Sequence, residues 1–136
     1  MVNNGLGDAT GRTRTMTVEA TEDISAGDAV AIDQSEGDDR YPPGAQALDD
    51  TSPDVDQVAG VASQDIDNGD RGAIVLSGPV IANVASDVDA GERLGTGTTA
   101  GQFVSEDDGL VLALSDEGGT DSAGTDLGAN QAEVHL

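Results

Sequence analysis

Residues 65–85 read Asp-Ile-Asp-Asn-Gly-Asp-Arg-Gly-Ala-Ile-Val-Leu-Ser-Gly-Pro-Val-Ile-Ala-Asn-Val-Ala. The order is an acidic turn, an apolar run, a Gly-Pro bend and a second apolar run. In the turn, Ile66 anchors to a core, Gly69 supplies a positive φ, and Asp70 precedes the next strand. The runs Gly72–Ser77 and Val80–Ala85 are short and β-branched, so they read as strands. Pro79 has no N–H to give a ladder and fits the bend between them.

The same turn recurs on either side. Residues 23–28 read Asp-Ile-Ser-Ala-Gly-Asp and residues 87–92 read Asp-Val-Asp-Ala-Gly-Glu. The unequal spacing of the three copies excludes a solenoid period. Further strands are expected at Thr13–Ala20, Asp28–Asp33, Gln57–Ser63, Gly101–Ser105, Leu110–Leu114 and Gln131–Leu136, separated by Gly, Asn, Asp, Ser and Pro clusters. A short helical turn is expected at Gly44–Asp50. Nineteen glycines leave no room for a long helix. The fold class is all-β: a small β-barrel or β-sandwich of the β-tulip or β-clip kind. It is expected to comprise a flexible arm at 1–12, a β domain at 13–114 and a Gly/Asp-rich tail at 115–136 that ends in a short strand. The core is expected from Val18, Ile24, Val30, Val61, Ile74, Leu76, Val84, Leu94, Phe103, Leu110, Leu112 and Leu114, among others.

Composition narrows the partners. The 136 residues carry 27 acids against five arginines and no lysine, a net charge of −22. Phosphate binding needs a basic stripe, so nucleic acid is excluded as a partner, and so is an anionic membrane surface. No run approaches the length of a membrane span, and no signal peptide is visible. The absence of Cys removes disulfides, thiol catalysis and Cys-type metal sites. Acids and apolar residues are interspersed, which fits a folded protein of concentrated salt. At about 1 M salt the Debye length is only about 3 Å, and self-repulsion largely vanishes. Lys carries a long hydrocarbon stem that strong salt would drive toward association. The composition is similar to that of haloarchaeal proteins, and high salt is expected to be required for stability.

The acids do not spell a catalytic or metal site. Counted from Asp65, an EF-hand loop would need Gly at position 6 and Glu at position 12; Gly69 falls one place early and Leu76 stands at the end, so a specific calcium site is not expected. The stretch Gly118–Gly128 lacks the strict nonapeptide of a calcium β-roll. The pairs Gly5/Gly7 and Gly95/Gly97 lack the third Gly and the helix of a dinucleotide loop. His135 is the sole His and lies next to the C-terminal residue, where a solvated edge is its expected setting. Asp38/Asp39 and Asp107/Asp108 sit in turn-like contexts. Tyr41 and Phe103 are the only aromatics, too few for a sugar-stacking platform. The chain reads as a non-enzyme with no cofactor.

From Thr17 to Leu114 the phrases follow a familiar order: Ile-Ser-Ala-Gly-Asp-Ala-Val-Ala-Ile (24–32), Val-Ala-Gly-Val-Ala-Ser (58–63), residues 66–80, then Val-Asp-Ala-Gly-Glu-Arg-Leu (88–94). This order resembles the capsid decoration, or cement, proteins of tailed viruses. The resemblance implies a structural virion protein, a homotrimer bound to the major capsid protein on the outer surface of the capsid. With the acidic composition, the virus would be haloarchaeal. The alternative is a β-rich carbohydrate-binding or cell-surface module of a halophile. Two sets of residues are expected to serve assembly. Thr10, Arg12, Thr13, Arg14 and Thr15 form a capsid-binding arm, which can add a strand to a neighbour and pair its arginines with carboxylates. Gly72–Ala85 contains no acid, so Ile74, Leu76, Val80 and Ile81 are the candidates for the trimer interface.

Overall fold

The computed structural model describes residues 13–33, 42–48 and 58–136. Its ten strands are β1 (Arg14–Ala20), β2 (Ala29–Asp33), β3 (Gly44–Ala47), β4 (Gly60–Ala62), β5 (Arg71–Ser77), β6 (Pro79–Asn83), β7 (Arg93–Thr96), β8 (Phe103–Ser105), β9 (Val111–Ala113) and β10 (Gln131–His135). No helix occurs among the described residues. The all-β reading holds, as a closed barrel in the order β1-β3-β2-β4-β5 beside a sheet in the order β6-β10-β9-β7-β8.

The two halves share one wiring. In each, the first strand runs antiparallel to the last, with Met16 opposite Ile74 and Val80 opposite Val134. In each, the second strand pairs with the third and fourth, and the fourth pairs with the fifth. The first strand also meets the third in parallel, as Glu19–Gly44 in one half and as the single bridge Val84–Phe103 in the other. Gly78, at a φ of 103°, joins the halves.

Two cores result. Val18, Ile24, Val30, Ala45, Ile66 and Ile74 fill the barrel. The second core lies between the halves: Ala29, Ala31, Leu48 and Val61 from the barrel's outward face meet Val84, Leu94, Phe103, Val111 and Val134. Successive strand residues point to opposite faces, so Val30 faces in while Ala29 and Ala31 face out. Both faces are covered, which is why β2 is apolar without interruption. Backbone bonds stitch the seam: Ala29 N–H donates to Gly101 O at 2.8 Å, and Asn83 N–H to Gly27 O at 2.8 Å.

The recurrent turns do more than reverse the chain. Gly27, Gly69 and Gly91 have φ of 89°, 88° and 90°, the left-handed region that a side chain resists. Ile24, Ile66 and Val88 are all buried. The first two turns clasp each other. Ile24 and Ile66 exchange N–H···O bonds of 2.8 Å. Ala26 N–H donates to Asp65 Oδ1 at 2.8 Å, and Asn68 N–H to Asp23 Oδ1 at 2.9 Å. In the second half, Ala90 N–H donates to Asp116 Oδ1 at 2.8 Å and Glu117 N–H to Val88 O at 2.9 Å. Asp116–Glu117 therefore does for the third turn what the first two do for each other. Beyond it, Asp121 Oδ1 accepts from the N–H groups of Ala123 and Thr125, and Ser122 donates twice to Glu133.

Two expectations are corrected, and one strand was not anticipated. Residues 44–47 form β3, not a helical turn. Ala and Gln favour helix, but β2 on one side and β1 on the other supply ladder partners, and tertiary pairing overrides propensity. Arg93–Thr96 forms β7, which its short polar sequence did not signal. The leucines of residues 110–114 face outward: Leu110 is 92% exposed, Leu112 42% and Leu114 40%, while Val111 and Ala113 are buried. A one-residue change of parity flips every side chain of a strand. Here Val111 faces Leu94 and Ala113 faces Val134 in an interior already holding Phe103. Leu76 is likewise exposed at 36%.

Candidate docking surface

The outward face of the second sheet is built from the register. Leu112 lies opposite Arg93 on one side and His135 on the other, and His135 lies opposite Pro79. Along β9, side chains of one parity share a face, so Leu110, Leu112 and Leu114 form a row. Arg93, His135 and Pro79 are all exposed. Glu133 belongs to the same face but is buried, its oxygens accepting from Ser122 N–H at 3.0 Å and Ser122 Oγ–H at 2.9 Å. The backbone N–H of Glu133 donates to Ser115 Oγ at 2.9 Å. Past the N-terminal end of β9, a cleft of about 660 Å³ opens, lined by Val58, Leu76, Leu110 and Leu136 with Glu106 and Asp108 in its walls.

The acids that are bonded mostly serve turns. Asp28 Oδ2 accepts from Ser25 N–H at 2.9 Å and its Oδ1 from Asn83 Nδ2–H at 2.8 Å. Glu92 repeats this in the third turn, accepting from Asp89 N–H at 2.6 Å and Ser105 Oγ–H at 2.8 Å. The bond from the Asp89 amide, then that from Ser105, holds the Glu92 carboxyl below its ordinary pKa. Asp107 and Asp108 are exposed in the β8–β9 turn. Among the described residues, no three of His, Asp and Glu converge as a metal site. Phe103 is fully buried and offers no face to a sugar.

The residues expected to serve assembly are scattered. Thr10 and Arg12 lie outside the described residues, as do Tyr41, Asp38 and Asp39. Thr13 precedes β1; Arg14 and Thr15 open it, exposed, with a bulge between them and with Ser77 and Val75 of the same chain opposite. Ile74 is wholly inside the barrel. Leu76 lines the cleft, Val80 packs against the second core, and Ile81 stands half-buried opposite Glu133. Val80 and Ile81 are neighbours on β6, and Arg14 lies opposite Ser77 on β5. The leucine row with Arg93 and His135 was not anticipated. Its sequence, Leu-Val-Leu-Ala-Leu, is apolar on both parities, and the contrast of large with small residues favours burying the leucines, so no local signal assigned the faces.

A family model described as phage cement protein matches residues 9–133. A similar solved structure is the crystal structure of the head fiber gp8.5 N base of bacteriophage phi29. It has 23% sequence identity and a TM-score of 0.59 and covers 91% of this chain and 93% of that one. At that identity the likeness is one of fold. No curated protein matches the chain.

Proposed function

Since this chain belongs to the phage cement protein family, we propose that it is a structural protein of a virus head, binding the lattice of the major capsid protein from outside and stabilising it. The family match across residues 9–133 carries this reading. In the fuller form of the proposal, the protein acts as a homotrimer, its contacts including Leu76, Val80 and Ile81. The segment containing Thr10, Arg12, Thr13, Arg14 and Thr15 reaches onto the capsid. The net charge of −22 without lysine supports a haloarchaeal host. The fold supports a binding role, because many of its bonded acids serve turns and no three of His, Asp and Glu converge as a metal site among the described residues.

The test is reconstitution in concentrated salt. Heads assembled without this protein should bind it to saturation at a fixed ratio to the major capsid protein and resist heat or osmotic shock better afterwards. Heads that neither bind it nor gain resistance would remove the proposal. Light scattering of the free protein tests the trimer; a 13.6 kDa particle would be a monomer. A variant lacking residues 2–14 tests the arm: undiminished binding would place the clamp elsewhere.

A further inference from the structure

Resting on that head-binding reading, we propose that the outward face of β9 seats the protein on its capsid partner. Leu110, Leu112 and Leu114, flanked by Arg93 and His135, would meet a patch that is apolar and edged by carboxylates.

The shared wiring of the halves points to this face. Ala29, Val61 and Val75 lie side by side across β2, β4 and β5. The corresponding row across β7, β9 and β10 is Arg93, Leu112 and His135. In the first half this row is buried, at 0%, 0% and 5% exposure, and the second half's core covers Ala29 and Val61. In the second half nothing among the described residues covers the same row, and the neighbouring Leu110 is almost fully exposed. The outward face of a half is thus a surface on which another body packs, and one such surface is left over.

The residue types say what that body is. Three leucines call for apolar contact. Arg93 has no carboxylate within ion-pair distance among the described residues. Its guanidinium donates to Gly109 O at 3.4 Å. The carboxylate of Glu133 is engaged by Ser122; Glu106 adjoins Arg93, its N–H donating to Arg93 O at 2.9 Å, with its side chain against Gly95. The centre of the face is therefore apolar, with Arg93 on one flank and Glu106 at the edge beyond it, in a chain that is strongly acidic overall. A carboxylate-edged partner complements it.

A second copy fits less well. Face-to-face pairing about a two-fold axis along or across β9 at Leu112 would set Arg93 against the other copy's Arg93 or His135. Nor can another copy offer the cover used inside the chain. The barrel of that copy is closed and filled, and the inner face of its second half already packs on its own barrel.

The chain has no cysteine, so Leu110→Cys and Leu112→Cys each create a unique thiol. Both sites are exposed, and maleimide labelling is compared for free and head-bound protein at one salt concentration. The expected result is rapid labelling of the free protein at its native assembly state and at least roughly tenfold slower labelling on heads. An Arg93→Glu/Leu112→Glu variant should bind heads roughly tenfold or more weakly, with unchanged unfolding midpoint and assembly state. Protection already present in the free assembly would assign the face to a second copy and overturn the proposal. Equal labelling in both states, with wild-type protein still bound, would overturn this face while leaving the head-binding reading intact. Failure of wild-type protein to bind heads would overturn both.

Discussion

Leu112 and Phe103 differ less in chemistry than in which way their strands turn them. Leu112→Ala removes a side chain that is already 42% exposed and should change stability by no more than about 0.5 kcal/mol. Phe103→Ala empties the middle of the inter-half core and should cost about 3–5 kcal/mol. Urea unfolding in concentrated salt measures both. Equal losses would mean that the face assignment of β9 is wrong. Glu92 makes a pH-dependent contribution of definite sign. Its pKa is lowered in the folded state by the Asp89 amide and the Ser105 hydroxyl. A carboxyl lowered on folding stabilises above its unfolded pKa, and the gain fades as the pH drops through the folded value. The stability deficit of Glu92→Gln should therefore be present at neutral pH and absent in acid below the folded midpoint. A deficit independent of pH would show that the ionised carboxylate is not its source.

At the scale of turns and strands, the acidic turn is the part of the fold most plainly written in the sequence. Its three copies predicted anchors at Ile24, Ile66 and Val88 and positive φ at the glycines, and the strands following the first two began close to where expected. A Cβ added at Gly69 or Gly91 would meet nothing within 4 Å. Substitution by Ala there meets only the backbone penalty, about 1–2 kcal/mol. Asp23→Ala and Asp65→Ala each remove one cap of the clasp and should each cost about 1 kcal/mol, by analogy with helix caps. Losses below a few tenths in thermal melts would make the clasp incidental. What the sequence hid has a common cause. The β3 residues Gly44–Ala47, the β7 residues Arg93–Thr96 and the parity of β9 are short or apolar on both sides, so neighbours from distant sequence decide their state. The leucine face was hidden for the same reason. The pairing of Asp116 with the third turn was hidden because its apolar anchor position carries Glu117.

The molecule as a whole is a tandem of two five-stranded units in a chain of net charge −22, whose self-repulsion concentrated salt would screen. Circular dichroism should show loss of β structure in low salt and its return in concentrated salt; identical spectra in the two would defeat the saline reading. The wiring also has a consequence in time. Each unit joins its first strand to its last, Arg14 to Ser77 and Pro79 to His135, so neither sheet is complete until the end of its own segment has arrived. Such distant pairings delay the rewarding contacts until a long loop has closed, and all-β domains of this kind fold in about milliseconds to seconds. The second unit needs Ala29, Ala31 and Val61 as a floor, whereas the barrel fills its interior without help. On a ribosome the barrel would close first and then template its successor. Stopped-flow refolding should accordingly resolve two phases, with Val18→Ala slowing the earlier and Val134→Ala the later.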